Sequence, residues 1–282
     1  MAESTRLNLG TARLVHLSWA LGLESMVANP KSAIDIDSYQ DCELGRWIQT
    51  TALQTLGDFD ATHLLIRTHQ HFHESAAALS SQIVRSREES RSVDKALFAQ
   101  EMDDVHALSR DIVYNLTELE LGILERRHKQ RLLTHPIESL FQRIFVGPYT
   151  ARSDDQGPLN VSHARLIHLN WANTLSQAFR GWGRDARLES EEDCALGDWL
   201  RTAGVLLGAK HVVIGRLKAA HVEYHLHVAE TICALQSRRE KAAQRGYTKT
   251  LELSREIVYL LSVLEFRLLE SGGVVREESF SE

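Results

Sequence analysis

Residues 38–47, S-Y-Q-D-C-E-L-G-R-W, return as residues 190–199, S-E-E-D-C-A-L-G-D-W, a displacement of 152 (190 − 38). The same displacement carries His16 onto His168, Trp19 onto Trp171, His69 onto His221 and His73 onto His225. A duplicated chain builds two copies of one unit, so each half must bury its own core with the same elements. Length agrees: 282 residues, at roughly 150 per domain, allow about two domains.

The elements read as helices. The chain is 43% hydrophobic with only four prolines, and its apolar residues recur every three or four positions. A first helix is predicted from about Leu7 to Ala28, with Leu14, Leu17 and Leu21 on one side and His16 and Trp19 on a neighbouring stripe; Asn29-Pro30 ends it. Ser38 is predicted to N-cap a second helix, with Asp41 completing a capping box and Cys42 in the first turn, where the helix dipole favours a thiolate. Gly45, costly inside a helix, is expected to let another helix and its histidine approach the sulfur. After Gly57-Asp58-Phe59-Asp60 a third helix runs from about Ala61 past Gln82. There His69 and His73, four apart, share a face while His71 points away. The fourth, from about Ala96 to Glu125, carries Met102, Val105, Leu108, Ile112, Leu116, Leu119 and Ile123 as its apolar stripe.

The second half repeats this order from near Ser162, Ser190, Lys210 and Gln244. Its last helix repeats S-R-D-I-V-Y of Ser109 as S-R-E-I-V-Y of Ser254, now displaced by 145 (254 − 109), so about seven residues are missing before it. The expected organisation is residues 1–145 as one domain with a linker helix, 146–160 as linker and 161–282 as the second domain. The expected fold is all-α: two tandem antiparallel four-helix bundles, packed as an intramolecular pseudo-two-fold dimer.

Three histidines and one cysteine recurring at a common displacement are the ligand set of a tetrahedral zinc site. The candidate ligands are His16, Cys42, His69 and His73 in the first half and His168, Cys194, His221 and His225 in the second, giving two Zn²⁺ per chain. Four protein ligands leave no position for an activated water, so an enzyme is not expected. Asp41 and Asp193, beside the cysteines, are candidates to offset the charge of the sites. Cys233, opposite Ser81 in the repeat and without ligands around it, is expected to be a buried or idle thiol, and the Trp residues beside the ligands to be core. The competing reading, a hemerythrin-like iron and oxygen-binding bundle, lacks the paired carboxylates of a di-iron centre and leaves the cysteine unexplained. Passive zinc binding is the blander alternative.

The runs His16-Leu17-Ser18-Trp19, Cys42-Glu43-Leu44-Gly45-Arg46-Trp47 and His69-Gln70-His71-Phe72-His73, with their counterparts His168 to Trp171, Cys194 to Trp199 and His221 to His225, resemble the bacterial chemoreceptor zinc-binding family, whose motif is H-x-x-W, C-x-L-G-x-W and H-x-x-x-H. The resemblance implies a helical bundle, zinc held by three histidines and one cysteine, and homodimerisation. It also implies a sensory role for zinc or for oxidants such as hypochlorous acid acting at the zinc thiolate, signalled through a partner of a chemotaxis or cyclic-di-GMP pathway.

Charge and hydropathy narrow the rest. With a net charge of −6 and both signs interspersed, no basic stripe exists for nucleic acid. No apolar run reaches the roughly 18 residues of a membrane span, and the N-terminus lacks a signal-peptide pattern, so a cytoplasmic protein is expected.

Overall fold

The computed structural model describes residues 9–28, 36–88, 95–134, 161–179, 190–202 and 212–277, and every regular element among them is helical. In chain order these are α1 (Leu9–Ala28), α2 (Glu43–Trp47), a wider π turn (Ile48–Ala52), α3 (Leu53–Leu56), α4 (Asp60–Glu88) and α5 (Lys95–Thr134). There follow α6 (Val161–Phe179), α7 (Ala195–Arg201), α8 (Val213–Gln236) and α9 (Glu240–Glu277). The chain divides into two compact units, Met1–Leu119 and Glu120–Glu282, with the division inside α5. The linker expected at 146–160 lies outside the described residues.

In the first unit, α1 turns toward the core a face made of Ala12, Leu17, Ala20 and Leu23, with the polar Arg13 and His16 among them, all buried. Leu14 and Leu21, expected beside Leu17, are only half-buried. The helices are tied by side chains: Arg13 donates to Thr117 Oγ1 of α5 at 3.2 Å, and Gln82 of α4 donates to Glu101 of α5 at 2.6 Å. The expected second helix is broken into α2, the π turn and α3. Threonine hydroxyls follow the break, Thr50 donating to the Arg46 carbonyl and Thr55 to that of Thr51, each at 2.8 Å.

In the second unit α6, α7, α8 and α9 close a ring, α9 packing on both α8 and α6 while α7 packs on α6 and α8. Arg165, at the repeat position of Arg13, is fully buried. It donates to Ser262 Oγ at 3.3 Å and pairs with Glu265 at 2.6 Å. The missing residues shorten the third helix and its connection. Only 237–239 separate α8 from α9, against 89–94 between α4 and α5, and the tight turn places Arg238 at φ 55°, in the left-handed region. α5 and α9 each contain a stretch buried on every face: Ile112 to Thr117 in one, Ile257 to Leu264 in the other. No helix among the described residues is long and apolar enough to cross a membrane.

Candidate metal centres

The turn before α2 sets the first site. Ser38 Oγ donates to Asp41 Oδ2 at 2.6 Å and accepts from the Asp41 amide at 3.3 Å, while the Cys42 amide donates to the Ser38 carbonyl at 3.1 Å. The capping box foreseen for the helix therefore organises the turn in front of it, and the N-cap of α2 is Cys42 itself, whose Sγ accepts from the Gly45 amide at 3.2 Å. Asp41 is exposed, and its carboxylate accepts from Ser38. The second unit repeats each step: Ser190 donates to Asp193 at 2.7 Å, and Cys194 caps α7 by accepting from Gly197 at 3.2 Å.

Gly45 is required for a reason the sequence did not suggest. A Cβ there would overlap the Tyr39 carbonyl oxygen of the turn, with the carbonyl carbon at 2.9 Å, rather than obstruct a histidine. At Gly197 the equivalent obstruction is the Glu191 carbonyl, and His221 Cε1 stands 3.2 Å from the same position. Arg46 donates to the Asp41 carbonyl and Arg201 to that of Glu192, fastening helix to turn in both units.

With the cysteine fixed, α4 brings its histidines to it. Cys42 Sγ lies 3.3 Å from His69 Nε2, and His69 Nε2 lies 3.1 Å from His73 Nε2. In the second unit the distances are 3.1 Å for Cys194 to His221 and 3.2 Å for His221 to His225. Each trio keeps its ligating atoms within 4.8 Å of one another. Bonds of about 2.0–2.3 Å in a tetrahedron imply ligand-to-ligand edges of about 3.3–3.6 Å, so the two short edges of each trio are up to a few tenths of an ångström tighter than zinc would set them. Three lone-pair donors turned toward one another, two of them imidazoles, are the donor set of a soft or borderline cation rather than a hydrogen-bonded core.

His73 Nδ1 donates to the Asp37 carbonyl at 2.9 Å, which leaves Nε2 unprotonated in the neutral ring and aimed at the trio. Nothing in the sequence singled out Asp37, because its part is played by a backbone carbonyl. Trp19 packs on His73 with ring centroids 5.6 Å apart, and Trp171 on His225 at 5.0 Å. Trp47 and Trp199 are buried, as core expectation has it.

Burial keeps the rings neutral. It holds His69 down to about 3, with His73 adding repulsion, and His221 down to about 4, with His225 and Arg201 adding to it. His73 is lowered by burial despite the opposing pull of Asp37. Burial also raises the Cys42 thiol, outweighing the Gly45 and Leu44 amides that stabilise the thiolate. The helix-terminus effect foreseen from sequence is present but is the smaller force, so the thiolate needs a cation beside it.

His16 and His168 are the two expected ligands that do not join the trios. Each is buried next to its trio, and burial, then the neighbouring histidines, lowers both, His168 to about 3. His16 lines the same cavity of about 360 Å³ as Cys42, His69 and His73, but its Nε2 shares a hydrogen bond of 3.0 Å with Ser109 Oγ of α5. His168 Nε2 is a buried nitrogen with no hydrogen-bond partner, as a ligand atom of a bound cation would be. His71 is exposed and His227 pairs with Glu230 at 2.9 Å, so neither belongs to a site. Cys233 is exposed, with Arg239 Nη2 3.9 Å from its sulfur, so it is not a buried thiol.

Residues 16–79 match the family model of the chemoreceptor zinc-binding domain. The matched span holds His16, Cys42, His69 and His73; the second unit lies outside it and reproduces its trio by geometry. No curated protein and no solved structure matches the chain.

Proposed function

We propose that the chain is a non-enzymatic zinc-binding sensory protein with two sites, His16, Cys42, His69 and His73 forming one and His168, Cys194, His221 and His225 the other. The observation that carries this reading is the repetition of one Cys-His-His geometry, with the same capped cysteine, in two units of one chain. Zinc would supply charge to hold the cysteines as thiolates. The chain's own residues do the rest: Cys42 and Cys194 start a helix, α4 and α8 carry paired histidines, and α1 and α6 carry the fourth.

A thiolate with 7% exposure is reachable by a small neutral oxidant and by little else. Hypochlorous acid reacting with the Cys42 thiolate gives sulfenic acid and chloride, R–S⁻ + HOCl → R–SOH + Cl⁻, with sulfur oxidised and chlorine reduced. The sulfur then accepts differently from the Gly45 amide, and the start of α2 is the surface a protein partner of a chemotaxis or cyclic-di-GMP pathway would read. Against a di-iron centre, each trio contains a thiol and no carboxylate.

Elemental analysis of the purified chain tests the metal. Two zinc ions per chain are expected, falling by one in the double variant His69→Ala/His73→Ala and by one in His221→Ala/His225→Ala. One metal per chain in the unaltered protein would mean that a site is dead, and iron with charge-transfer absorption would replace this reading with the oxygen-binding one.

A further inference from the structure

The repeated hexapeptides S-R-D-I-V-Y and S-R-E-I-V-Y contribute no ligand, yet the serine of the first meets a candidate ligand. Ser109 is fully buried, and its hydroxyl is hydrogen-bonded to His16 Nε2 across 93 residues of chain. A buried hydroxyl and a buried imidazole that satisfy each other are costly to separate. His16, like His168 in its own unit, has no ring nitrogen within 4.8 Å of all three atoms of its trio, but only His16 is tied to a serine. For His16 Nε2 to become the fourth ligand atom it must leave the serine. In the second unit the same pair, His168 and Ser254, is buried without this bond: His168 Nε2 and Ser254 Oγ are both without a hydrogen-bond partner.

We propose that Ser109 is a latch that competes with the metal ion for His16, so that the first site binds zinc more weakly than the second. This rests on the zinc reading above and adds to it a residue outside the ligand set and an order of filling. The second site, whose fourth histidine is not latched, fills first. The first responds at higher zinc, and its filling releases a hydroxyl on α5 one turn before the fully buried stretch that starts at Ile112. Metal occupancy is thereby felt in a core helix that supplies none of the ligands.

The test is zinc titration of the full chain against a chromophoric chelator, with thermal unfolding of the metal-free protein measured in parallel. The unaltered chain is expected to show two affinities, the weaker one vanishing in His69→Ala/His73→Ala. Ser109→Ala is expected to tighten the weaker site by about 3- to 10-fold, the equivalent of one net hydrogen bond, while lowering the metal-free melting temperature. Ser254→Ala should move the tighter site by less than about twofold on the same scale. Ser109→Thr, which keeps the hydroxyl, should restore the weaker affinity and shows whether the position tolerates change. A Ser109→Ala protein whose first site is unchanged or weaker would overturn the latch; weakening would make the serine a support of the bound ligand. A chain that binds no zinc at all would instead remove the metal reading, and the latch with it.

Discussion

Replacing Cys42 separates two roles of one sulfur atom. Sγ caps α2 by accepting from the Gly45 amide at 3.2 Å, and it lies 3.3 Å from His69 Nε2 as a metal ligand. α2 has five residues, so its first turn is most of the helix. Cys42→Ala removes both roles. Losing a cap costs about 1 kcal/mol (range about 0.5–2), and in a chain of this size 1 kcal/mol moves the melting temperature by about 2–4 °C. Cys42→Ser removes only the thiolate, because serine is among the best N-caps. In chelator, Cys42→Ser should therefore melt within about 1 °C of the unaltered protein and Cys42→Ala about 2–4 °C lower. In zinc both should bind at the first site more weakly by over about 100-fold, since even outer-shell partners are worth 10–100-fold. The assay is calorimetric or dichroism melting with and without zinc, paired with chelator competition. Equal metal-free stability of the two variants would refute the capping argument, and unaltered zinc affinity in Cys42→Ser would remove Cys42 from the ligand set.

Gly45→Ala and Gly197→Ala force a Cβ into the carbonyl of the preceding turn, and should each destabilise by about 1–3 kcal/mol in chemical denaturation; a neutral substitution would show that the turn yields freely. The metal-free chain should lose stability as pH falls from about 6.5 toward 4. His69, His168 and His221 are held at about 3, 3 and 4 when folded while their unfolded rings take up protons near 6.5. Stability from these rings is thus complete above the unfolded value and lost across that window; denaturant midpoints flat between pH 7 and 4.5 would contradict it. Cys233, exposed beside Arg239, should react first with a bulky alkylating reagent, Cys42 and Cys194 following only after metal removal. Peptide mass mapping reads the order, and oxidant experiments on the site cysteines belong in a Cys233→Ser background.

Much of the fold was open to a reader of the sequence because the repeat supplied two readings of every element. The course of α4, the start of α5, the outward turn of His71 and the pairing of His69 with His73 all follow from 3.6-residue periodicity, whereas α5 runs nine residues past its expected end at Glu125. The Cys-His-His trios were equally legible, since their spacing is fixed by helix geometry and the repeat. What sequence reasoning missed depends on atoms that carry no residue signature. The Asp37 carbonyl that orients His73 and the Tyr39 carbonyl that demands Gly45 are backbone groups of a turn. The cap was misplaced by four residues because serine is a stronger statistical N-cap than cysteine, and here the stronger residue organises the turn while the weaker one starts the helix. Buried Arg13 and Arg165 also escaped notice, because arginine is rarely found in a core without a partner, and their partners lie about a hundred residues away.

The stretches of α5 and α9 that are covered on every side bear on how a duplicated gene ages. A helix with a solvent face offers positions where substitutions cost little, and there two copies drift apart. Ile112-Val113-Tyr114 and Ile257-Val258-Tyr259 have no such positions, and the copies still read alike there, although seven residues have been lost just upstream. Beyond these three positions the covered stretches differ one residue at a time, Asn115 against Leu260 and Thr117 against Ser262, while the connection before them differs in length. Each copy can then acquire its own threshold and its own partner without loosening the scaffold that both inherited.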